Sequence, residues 1–442
     1  MISGHLFTLR QFARRLWVRA ALVSALAFLA PLIALPLATL TPGWVLSKIR
    51  EDTVRSLLDI LANSMLAVTT FSLTVMVTAH LHAASLASPR AHRILSEDAR
   101  TQIVMATFIG SFVYALIAIV MLQLELVGKE AYPTLYIMTL AVVLLIIVTI
   151  MRWIAHLTEL GSIEETTRRI EARTEAALRT RVTSPCLGAR ALDATVRVPE
   201  GAHAIASSRS GFIQHIDVAR MNEIAEERGG TLYVHLVPGA WAGIGDLLAE
   251  FDGEDFSDET EQQIDACFTL ADVRSFDQDV EFGVRVMAEI AERALSPGVN
   301  DPRTATDVIA RLVTIIEKFD GEHIGEAVAA PHVFVPPLNL NRILQMAFDP
   351  IARDGRAFVE VQLHHQIAMN RLSRHREPRI AEAARILSGR GLAYAEMGLA
   401  LGSDLEQVRS VAVVKRAASW VPPESRAAPM DAGRDGNAPR DP

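Results

Sequence analysis

The stretch that decides the fold is Leu57–Ser85, which reads LLDILANSMLAVTTFSLTVMVTAHLHAAS. It is long enough to cross a bilayer, since about 20 predominantly apolar residues span the hydrocarbon core. It is also polar along one side. On a helical wheel the polar residues fall within about 80° of arc, opposite a face of mostly Leu, Val, Met and Ala. These polar residues are Ser56, Asn63, Thr70, Thr74, Thr78 and Ser85.

A one-sided polar stripe in a membrane helix faces protein or water, because unsatisfied polar groups are costly in hydrocarbon. Two interpretations follow. The hydroxyls form hydrogen bonds between helices inside a bundle, for which Ser and Thr are well suited. Alternatively, copies of this helix surround an axis in a homo-oligomer and line a path for an ion or small solute. The pore-lining residues would then be Ser56, Asn63, Thr70, Thr74 and Thr78.

Three more apolar segments lie in the first third of the chain, and each is long enough to span a bilayer. The first contains Pro31 and Pro36, and it is too long for the apolar region of a signal peptide. The sequence therefore predicts a four-helix transmembrane domain over residues 1–157. The three segments are about Leu16–Leu40, Thr101–Leu124 and Tyr132–Leu157.

Basic residues are concentrated in alternate loops. Four arginines precede the first segment, and Arg90, Arg93 and Arg100 lie between the second and third. The loop between the third and fourth segments has a single basic residue, Lys129. The loop between the first and second segments has three and is an exception to this alternation. Since cytoplasmic loops are enriched in Lys and Arg, we expect the N- and C-termini and the 86–100 loop to be cytoplasmic.

The composition agrees with a chain that is part membrane protein and part soluble protein. The chain has 442 residues, of which 50% are hydrophobic and 21% are charged. A net charge of −8 argues against a general nucleic-acid-binding protein. The two cysteines, Cys186 and Cys267, are too few for a disulfide framework.

The soluble part is predicted to be a cytoplasmic α+β region. Residues 158–190 read as a charged connecting helix, with favourable i,i+4 pairs such as Glu164–Arg168. Residues 191–273 form a β-rich module, because TVRV, GFIQHID and TLYVHLV are rich in β-formers. The segment VARMNEIAEERG between the last two reads as a short amphipathic helix.

A helical module is predicted over residues 274–420. Its first helix covers Phe276–Leu295, and its second begins at Pro302 with Asp301 as the N-cap. A Pro-rich extended connector, AAPHVFVPPLNL, follows. Three more helices are expected at about 341–352, 356–374 and 378–402, the last broken at Gly389–Gly391. Residues 421–442 have no apolar period and are predicted to form a disordered tail.

The first two helices of this module carry the most specific motif, RSFDQDVEFGVRVMAEIAERALSPGVNDPRTATDVIARL. Together with FSLTVMV and Ser88-Pro89-Arg90 of the membrane region, it resembles the bacterial predicted membrane proteins grouped as domain of unknown function 2254. The resemblance extends from the first span to about residue 400. It implies a bacterial inner-membrane location and four spans, and it implies no established activity.

The turn SPGVNDP within this motif has two interpretations. Helix N-termini present free amides that can hold anions, and Asn300 and Asp301 could bind a cation or a ligand, with Arg274 and Asp279 nearby. Alternatively, each residue has a structural role in a capping turn: Gly relieves backbone strain, Asp caps the next helix, and Pro occupies its first position. We favour the capping turn, and the four residues remain a candidate cytoplasmic binding site.

The sequence offers no pattern for catalysis or for a cofactor. It has no HExxH motif, no Cys/His cluster with zinc spacing, and no nucleophile-elbow, Walker or dinucleotide motif in context. We therefore expect no metal, no cofactor and no enzymatic activity. Two hypotheses remain: an oligomeric conduit lined by the second span, and a non-transporting scaffold or sensor with a ligand- or partner-binding cytoplasmic domain.

Overall fold

The computed structural model describes residues 50–86, 90, 99–126, 128, 131–157, 162–319 and 328–414. The first predicted span and the predicted disordered tail lie outside these residues, and so does the side chain of Ser85.

Three of the four predicted membrane helices are present in the described part of the chain. They are α1 (Glu51–Leu86), α2 (Ala99–Gln123) and α3 (Tyr132–Leu157). Their shared core is apolar, and large apolar side chains on the outer surfaces are exposed, as lipid-facing residues are. The structure thus supports a multi-pass α-helical protein with three candidate spans, and it does not test the fourth.

The charged connecting helix is α4 (Ile163–Thr183), which begins at the N-cap Ser162. Glu165 of its first turn pairs with Arg168 and Arg169. The opposite face of α4 is buried against the helical region. Charged side chains also contribute to this packing, since Glu171 pairs with Arg311 and Glu175 pairs with Lys318.

Two sheets make up the β-rich region. The order is β1-β8-β4-β6-β2 in the larger sheet and β5-β3-β7 in the smaller one. Helices α5 and α6 belong to the same region. The strands and helices are β1 (Ala189–Ala191), β2 (His203–Ala206), β3 (Gly211–Ile216), α5 (Val218–Glu227), β4 (Thr231–Val234), β5 (Trp241–Ala242), β6 (Leu247–Asp252), α6 (Asp258–Asp265), β7 (Phe268–Ala271) and β8 (Ala330–Val335).

The sequence prediction was wrong for the TVRV segment, which is not a strand in the structure. The Asp193 carboxylate accepts hydrogen bonds from the backbone N–H and the hydroxyl of Thr195, at 2.9 and 2.5 Å. This local turn competes with pairing in a sheet. The strand in this part of the chain is β2, which pairs with β6.

Strand β8 comes from the segment that was predicted to be an extended connector in the helical module. It pairs in parallel with both β1 and β4, through Ala189–Ala330 and Leu232–Val333. The larger sheet is therefore completed by residues that follow the first two helices of the predicted helical module in the chain. The boundary predicted at residue 273 does not separate the two regions.

The helical region contains six helices in the described residues. Four of the five predicted helices have bounds that shift by a few residues, and the first helix begins at Val280 rather than Phe276 because Asp279 caps it. The helices are α7 (Val280–Ala294), α8 (Pro302–Glu317), α9 (Leu340–Asp354), α10 (Val359–Leu372), α11 (Pro378–Gly398) and α12 (Gly402–Val411).

The predicted break at Gly389–Gly391 was also wrong, because α11 continues through both glycines. A Cβ atom at Gly391 would overlap with the imidazole of His365 on α10. Glycine is therefore explained here by the close approach of two helices. The helical break lies at Leu399–Leu401, before α12.

Candidate functional site

The most completely buried ion pair among the predicted site residues joins Arg274 and Asp279. Arg274 Nε donates to Asp279 Oδ2 at 2.7 Å, and Nη2 donates to Oδ1 at 2.9 Å. The Asp279 side chain is 1% exposed and also caps α7 by accepting the Phe282 N–H at 3.0 Å. Burial raises the pKa of the Asp279 carboxyl above its usual range, although Arg274 opposes this shift.

Two neighbours fix the position of the Arg274 guanidinium. Its Cζ atom lies 5.3 Å from the centroid of the Phe282 ring, which is a cation–π distance. On another side lies Gly239, at φ +93°, where a Cβ atom would overlap with both the Asp279 carboxylate and the guanidinium. The turn between β4 and β5 thus closes over the ion pair, and only glycine fits there.

The Arg274 side chain also lines a cavity of about 450 Å³, which we call the junction pocket. The pocket lies where Arg90, which stands between α1 and α2 in the chain, meets the smaller sheet and the first turns of α7. This position brings together residues that are distant in the chain. The pocket is lined by Arg90, Phe212, Asp272, Val273, Arg274, Phe282 and Arg285.

The lining of the junction pocket has more guanidinium groups than carboxylates, although Asp279 and Glu289 next to it bring the two to equal numbers. The lining carries three guanidinium groups and one carboxylate, that of Asp272. Arg90 and Arg285 share a second carboxylate, since Glu289 pairs closely with Arg90 and lies 3.8 Å from Arg285. More than half of each of these two arginine side chains is exposed. An anionic group of a ligand could therefore contact the exposed Arg90 and Arg285 guanidinium groups, in a neighbourhood whose own charges balance.

The Asn300–Asp301 turn is satisfied by its own neighbours. Asp301 Oδ1 accepts the backbone N–H groups of Arg303 and Thr304, and Oδ2 accepts the Thr304 hydroxyl at 2.6 Å. These hydrogen bonds lower the pKa of the Asp301 carboxyl, with the Thr304 hydroxyl having the largest effect. The residue with positive φ is Asn300, at 54°, and not Gly298 as the sequence suggested. This geometry is that of a capping turn.

The structure does not bring the four residues of the candidate binding site together. Arg274 and Asp279 precede α7, whereas Asn300 and Asp301 follow it. The 15 residues of α7 separate the two pairs by about 20 Å, at 1.5 Å per residue. Whether any of them binds a ligand stays a prediction, but they belong to two different places.

The polar stripe of α1 faces away from α2 and α3. The buried face of α1 is formed by Val54, Leu58, Leu61, Met65 and Met76. The five predicted pore-lining residues of the stripe are exposed. The hydroxyls of Thr70, Thr74 and Thr78 each donate to the carbonyl four residues earlier, at 3.0 Å, and the Asn63 amide does the same to Asp59. The stripe is therefore hydrogen-bonded within its own helix and presents an outward surface.

At its N-terminal end the stripe borders a wide, shallow groove of about 530 Å³. Ser56 and Asn63 line this groove together with charged residues of the same helix. The complete lining is Asp52, Arg55, Ser56, Asp59, Ile60, Asn63 and Ser64.

Within the described ranges, no group of three or more His, Cys, Asp or Glu side chains is arranged to hold a metal ion. The two cysteines are free and buried. His365 is fully buried, and burial lowers its pKa to about 4.

Sequence reasoning missed the residues that complete the junction pocket. Arg90 and Phe282 belong to the motifs that carry the family resemblance. Gly239 belongs to the glycine-spaced segment GAWAGIG, residues 239–245. No signal in the sequence linked these segments, because their proximity depends on how the membrane loop, the smaller sheet and α7 pack. Arg285 and Phe212 carried no signal of their own.

Two curated mycobacterial relatives resemble part of this chain. They are the uncharacterized protein Rv1290c of Mycobacterium tuberculosis and the uncharacterized protein Mb1321c of Mycobacterium bovis. Each is 26% identical over 255 residues, which are 55% of this chain and 48% of the relative. The match therefore spans about half the length of these relatives. No solved structure matches the chain significantly.

The family described as "Predicted membrane protein (DUF2254)" matches residues 13–371, which is most of the chain. The match includes α1 to α3, both sheets and the two ends of α7. It confirms the resemblance drawn from the motifs, and the chain belongs to the DUF2254 family of predicted membrane proteins.

Proposed function

We propose that this protein is a non-transporting membrane sensor or scaffold that binds a ligand in the junction pocket. The observation that carries the proposal is the shared lining of that pocket. Arg90 comes from the loop between two membrane helices, and Arg274 comes from the soluble region. A ligand that contacts both parts would favour arrangements in which they lie together.

The coupling has a physical basis in the contacts around the pocket. Arg90 pairs with Glu289 on α7, and α1 packs against α7 and α4. A ligand shifts a conformational equilibrium only by its different affinity for the two states. A pocket lined from both the membrane region and the soluble region provides such a difference, because moving the two apart removes the Arg90 guanidinium from the lining.

The proposal includes a location and a class of activity. We propose an inner-membrane protein whose termini and soluble region are cytoplasmic, supported by the alternating distribution of basic residues in the loops. We also propose binding rather than catalysis. The pocket is supported as a binding site by its size, which lies in the range of about 300–1,000 Å³ typical of small-molecule sites.

The test is native mass spectrometry of the full-length protein purified in a mild detergent. We expect the parent to retain a bound non-protein species that the double variant Arg90→Gln/Arg285→Gln loses. The control double variant Arg303→Gln/Arg385→Gln removes the same charge from exposed positions outside the pocket and should retain it. Equal retention in all three proteins, or a parent without any bound species, would contradict the proposal.

A second candidate function is an oligomeric conduit for an ion or small solute. The outward-facing stripe of α1 favours it, because exposed polar groups on a membrane helix need a protein or aqueous neighbour. Further copies of the chain around an axis would supply one, and the groove at Ser56 and Asn63 would then be its mouth.

This candidate predicts that Thr74→Leu alters flux in liposomes while assembly is intact. Thr107→Leu is the matched control, since Thr107 on α2 also donates to the carbonyl four residues earlier. Light scattering on the detergent-purified protein gives the oligomeric state. A monomer, or normal flux through the Thr74→Leu variant, would argue against the conduit.

A further inference from the structure

We infer that the junction pocket binds the phosphate group of an anionic phospholipid, taken from the leaflet on the side of the soluble region. This inference rests on the proposed function, because it names the ligand class of the same pocket. It is carried by three independent features of the pocket: its charge, its apolar lining and its place next to the membrane helices.

The guanidinium groups indicate a phosphate. Arginine offers a planar fork of N–H donors that matches phosphate and carboxylate oxygens. Arg274 is held rigidly, because Asp279 and the Phe282 ring fix its orientation. Arg90 and Arg285 are exposed and share one carboxylate, that of Glu289. A phosphate that entered the pocket would therefore meet one preoriented guanidinium and two exposed ones that share Glu289. The guanidinium of Arg285 also interacts with the carboxylates of Glu281 and Glu292.

The apolar lining indicates that the ligand is more than an inorganic ion. Phe212, Val273 and Phe282 line the same pocket as the arginines. Val273 is 44% exposed, so apolar surface remains open to an additional ligand group. A free phosphate would use the guanidinium groups and leave these side chains uncovered. The glycerol and upper acyl carbons of a phospholipid would cover them.

Exposed apolar side chains continue from the pocket along the smaller sheet. Trp241 on β5 packs edge-on against Phe212, with ring centroids 4.9 Å apart, and is itself 53% exposed. Ile244, in the turn that follows, is 75% exposed. Tryptophan is enriched where a protein meets the headgroup region of a bilayer, because its ring is apolar and its N–H is polar. This surface is suited to contact with a membrane.

The position of the pocket brings it close to the membrane. Arg90 belongs to the short connection between α1 and α2, both of which are candidate spans. A residue in such a loop lies near the end of both helices and hence near the headgroups. The pocket also opens beside α7, against which α1 packs. A lipid could therefore reach the pocket from the bilayer edge without passing through water.

The experiment uses the full-length protein, stripped of lipid in a neutral detergent and titrated in native mass spectrometry. Three probes are compared: a phosphatidylglycerol, a phosphatidylcholine with the same acyl chains, and inorganic phosphate. Each basic residue near an anionic lipid surface contributes on the order of a fivefold gain in affinity. We therefore expect phosphatidylglycerol to bind about 30-fold more weakly to Arg90→Gln/Arg285→Gln than to the parent.

The controls separate a lipid site from general attraction. Arg303→Gln/Arg385→Gln should bind phosphatidylglycerol as the parent does, and phosphatidylcholine should bind all three proteins equally weakly. Melting temperatures of the variants check that each is folded. Equal affinity of the parent for the two lipids would overturn the inference, and so would inorganic phosphate that displaces phosphatidylglycerol at equal concentration.

The outcome also distinguishes this inference from the proposed function. A bound species that is lost from the pocket variant but is not a phospholipid would overturn the inference and leave the proposed function standing. A pocket variant that retains every bound species of the parent would overturn both.

Discussion

The two ends of α7 each carry a helix-capping aspartate, yet they differ in every other respect. At the N-terminal end, Asp279 is buried and paired with Arg274, and Gly239 of the turn between β4 and β5 lies against both side chains. At the C-terminal end, the partners of Asp301 are Arg303 and Thr304, its immediate neighbours in the sequence. The N-terminal end thus includes a contact with a residue that is distant in the sequence, whereas the C-terminal end is a turn held by adjacent residues.

This difference separates two kinds of motif residue. Asp301 and Pro302 start a helix, and their local hydrogen bonds account for both residue types. Arg274 and Asp279 cannot be explained in that way, because a cap does not need a buried guanidinium partner. The predictions that follow compare matched positions at the two ends of α7.

The largest effect is expected from removing the guanidinium at position 274. Arg274→Ala would leave the buried Asp279 carboxylate without its counter-ion, which costs about 3–5 kcal/mol in comparable cases. Arg303→Ala at the other end removes an exposed side chain and should change the free energy of unfolding by less than about 0.5 kcal/mol. Denaturant titration of both variants measures the difference, and similar losses would contradict the asymmetry.

The glycines near the two ends should also behave differently. A Cβ atom at Gly283 would overlap with the Thr174 side chain on α4, so Gly283→Ala is expected to cost about 1–3 kcal/mol. Gly298 has open space around it, and its φ is not positive. Gly298→Ala should therefore be close to neutral. The measurement is thermal unfolding of the two variants, and an unchanged melting temperature for Gly283→Ala would argue against the close packing of α7 on α4.

A smaller effect is expected at the C-terminal cap. Asp301→Ala removes the acceptor for two backbone N–H groups and should destabilise the protein by about 1 kcal/mol. Because the turn is structural, the species bound by the parent should remain bound in native mass spectrometry. Loss of that species from a folded Asp301→Ala protein would restore the turn as a ligand site.

The smallest effect is a difference in pH dependence. A raised folded-state pKa means that the contribution of Asp279 to stability is present below its ordinary pKa of about 4 and declines as pH rises through the folded-state value. The pKa of Asp301 is lowered, so its contribution is present above pH about 4 and is lost at lower pH.

Stability measured against pH for the parent, Asp279→Asn and Asp301→Asn tests this pair of signs. The advantage of the parent over Asp279→Asn should shrink as pH rises above about 4, whereas its advantage over Asp301→Asn should grow as pH rises toward about 4. Slopes of the same sign would show that the two carboxylates have similar environments.

Local sequence signals predicted much of the fold and little of the candidate site. The apolar period located α1 to α3, and the cap at Asp301 located the start of α8, whereas the cap of α7 at Asp279 was not predicted. The wheel of α1 correctly separated a polar face from an apolar one. These features depend on neighbours three or four residues apart, which a single sequence displays.

The junction pocket depends on contacts that a single sequence does not display. Arg90 and Arg285 lie on segments separated by the connecting helix and both sheets, and neither has a local pattern that points to the other. The same limit applies to β8, whose place in the larger sheet follows from pairing with β1 and β4. Gly391 was misinterpreted as a break because its partner, His365, lies on another helix.

The most direct test of a ligand site at the Arg274 end uses two matched cysteine variants. Val273 lines the junction pocket and is 44% exposed, while Val299 lies in the capping turn and is 40% exposed. The native Cys186 and Cys267 are buried, and burial raises the pKa of Cys267 to about 12, so background labelling is slow.

The measurement is the rate at which a water-soluble maleimide labels Val273→Cys and Val299→Cys in lipid discs that contain phosphatidylglycerol, and again after exchange into neutral detergent. A pocket occupied by an anionic lipid predicts slow labelling at position 273 in the discs, fast labelling there in detergent, and no change at position 299. Equal rates at both positions in the discs, or protection at position 299 alone, would contradict the account.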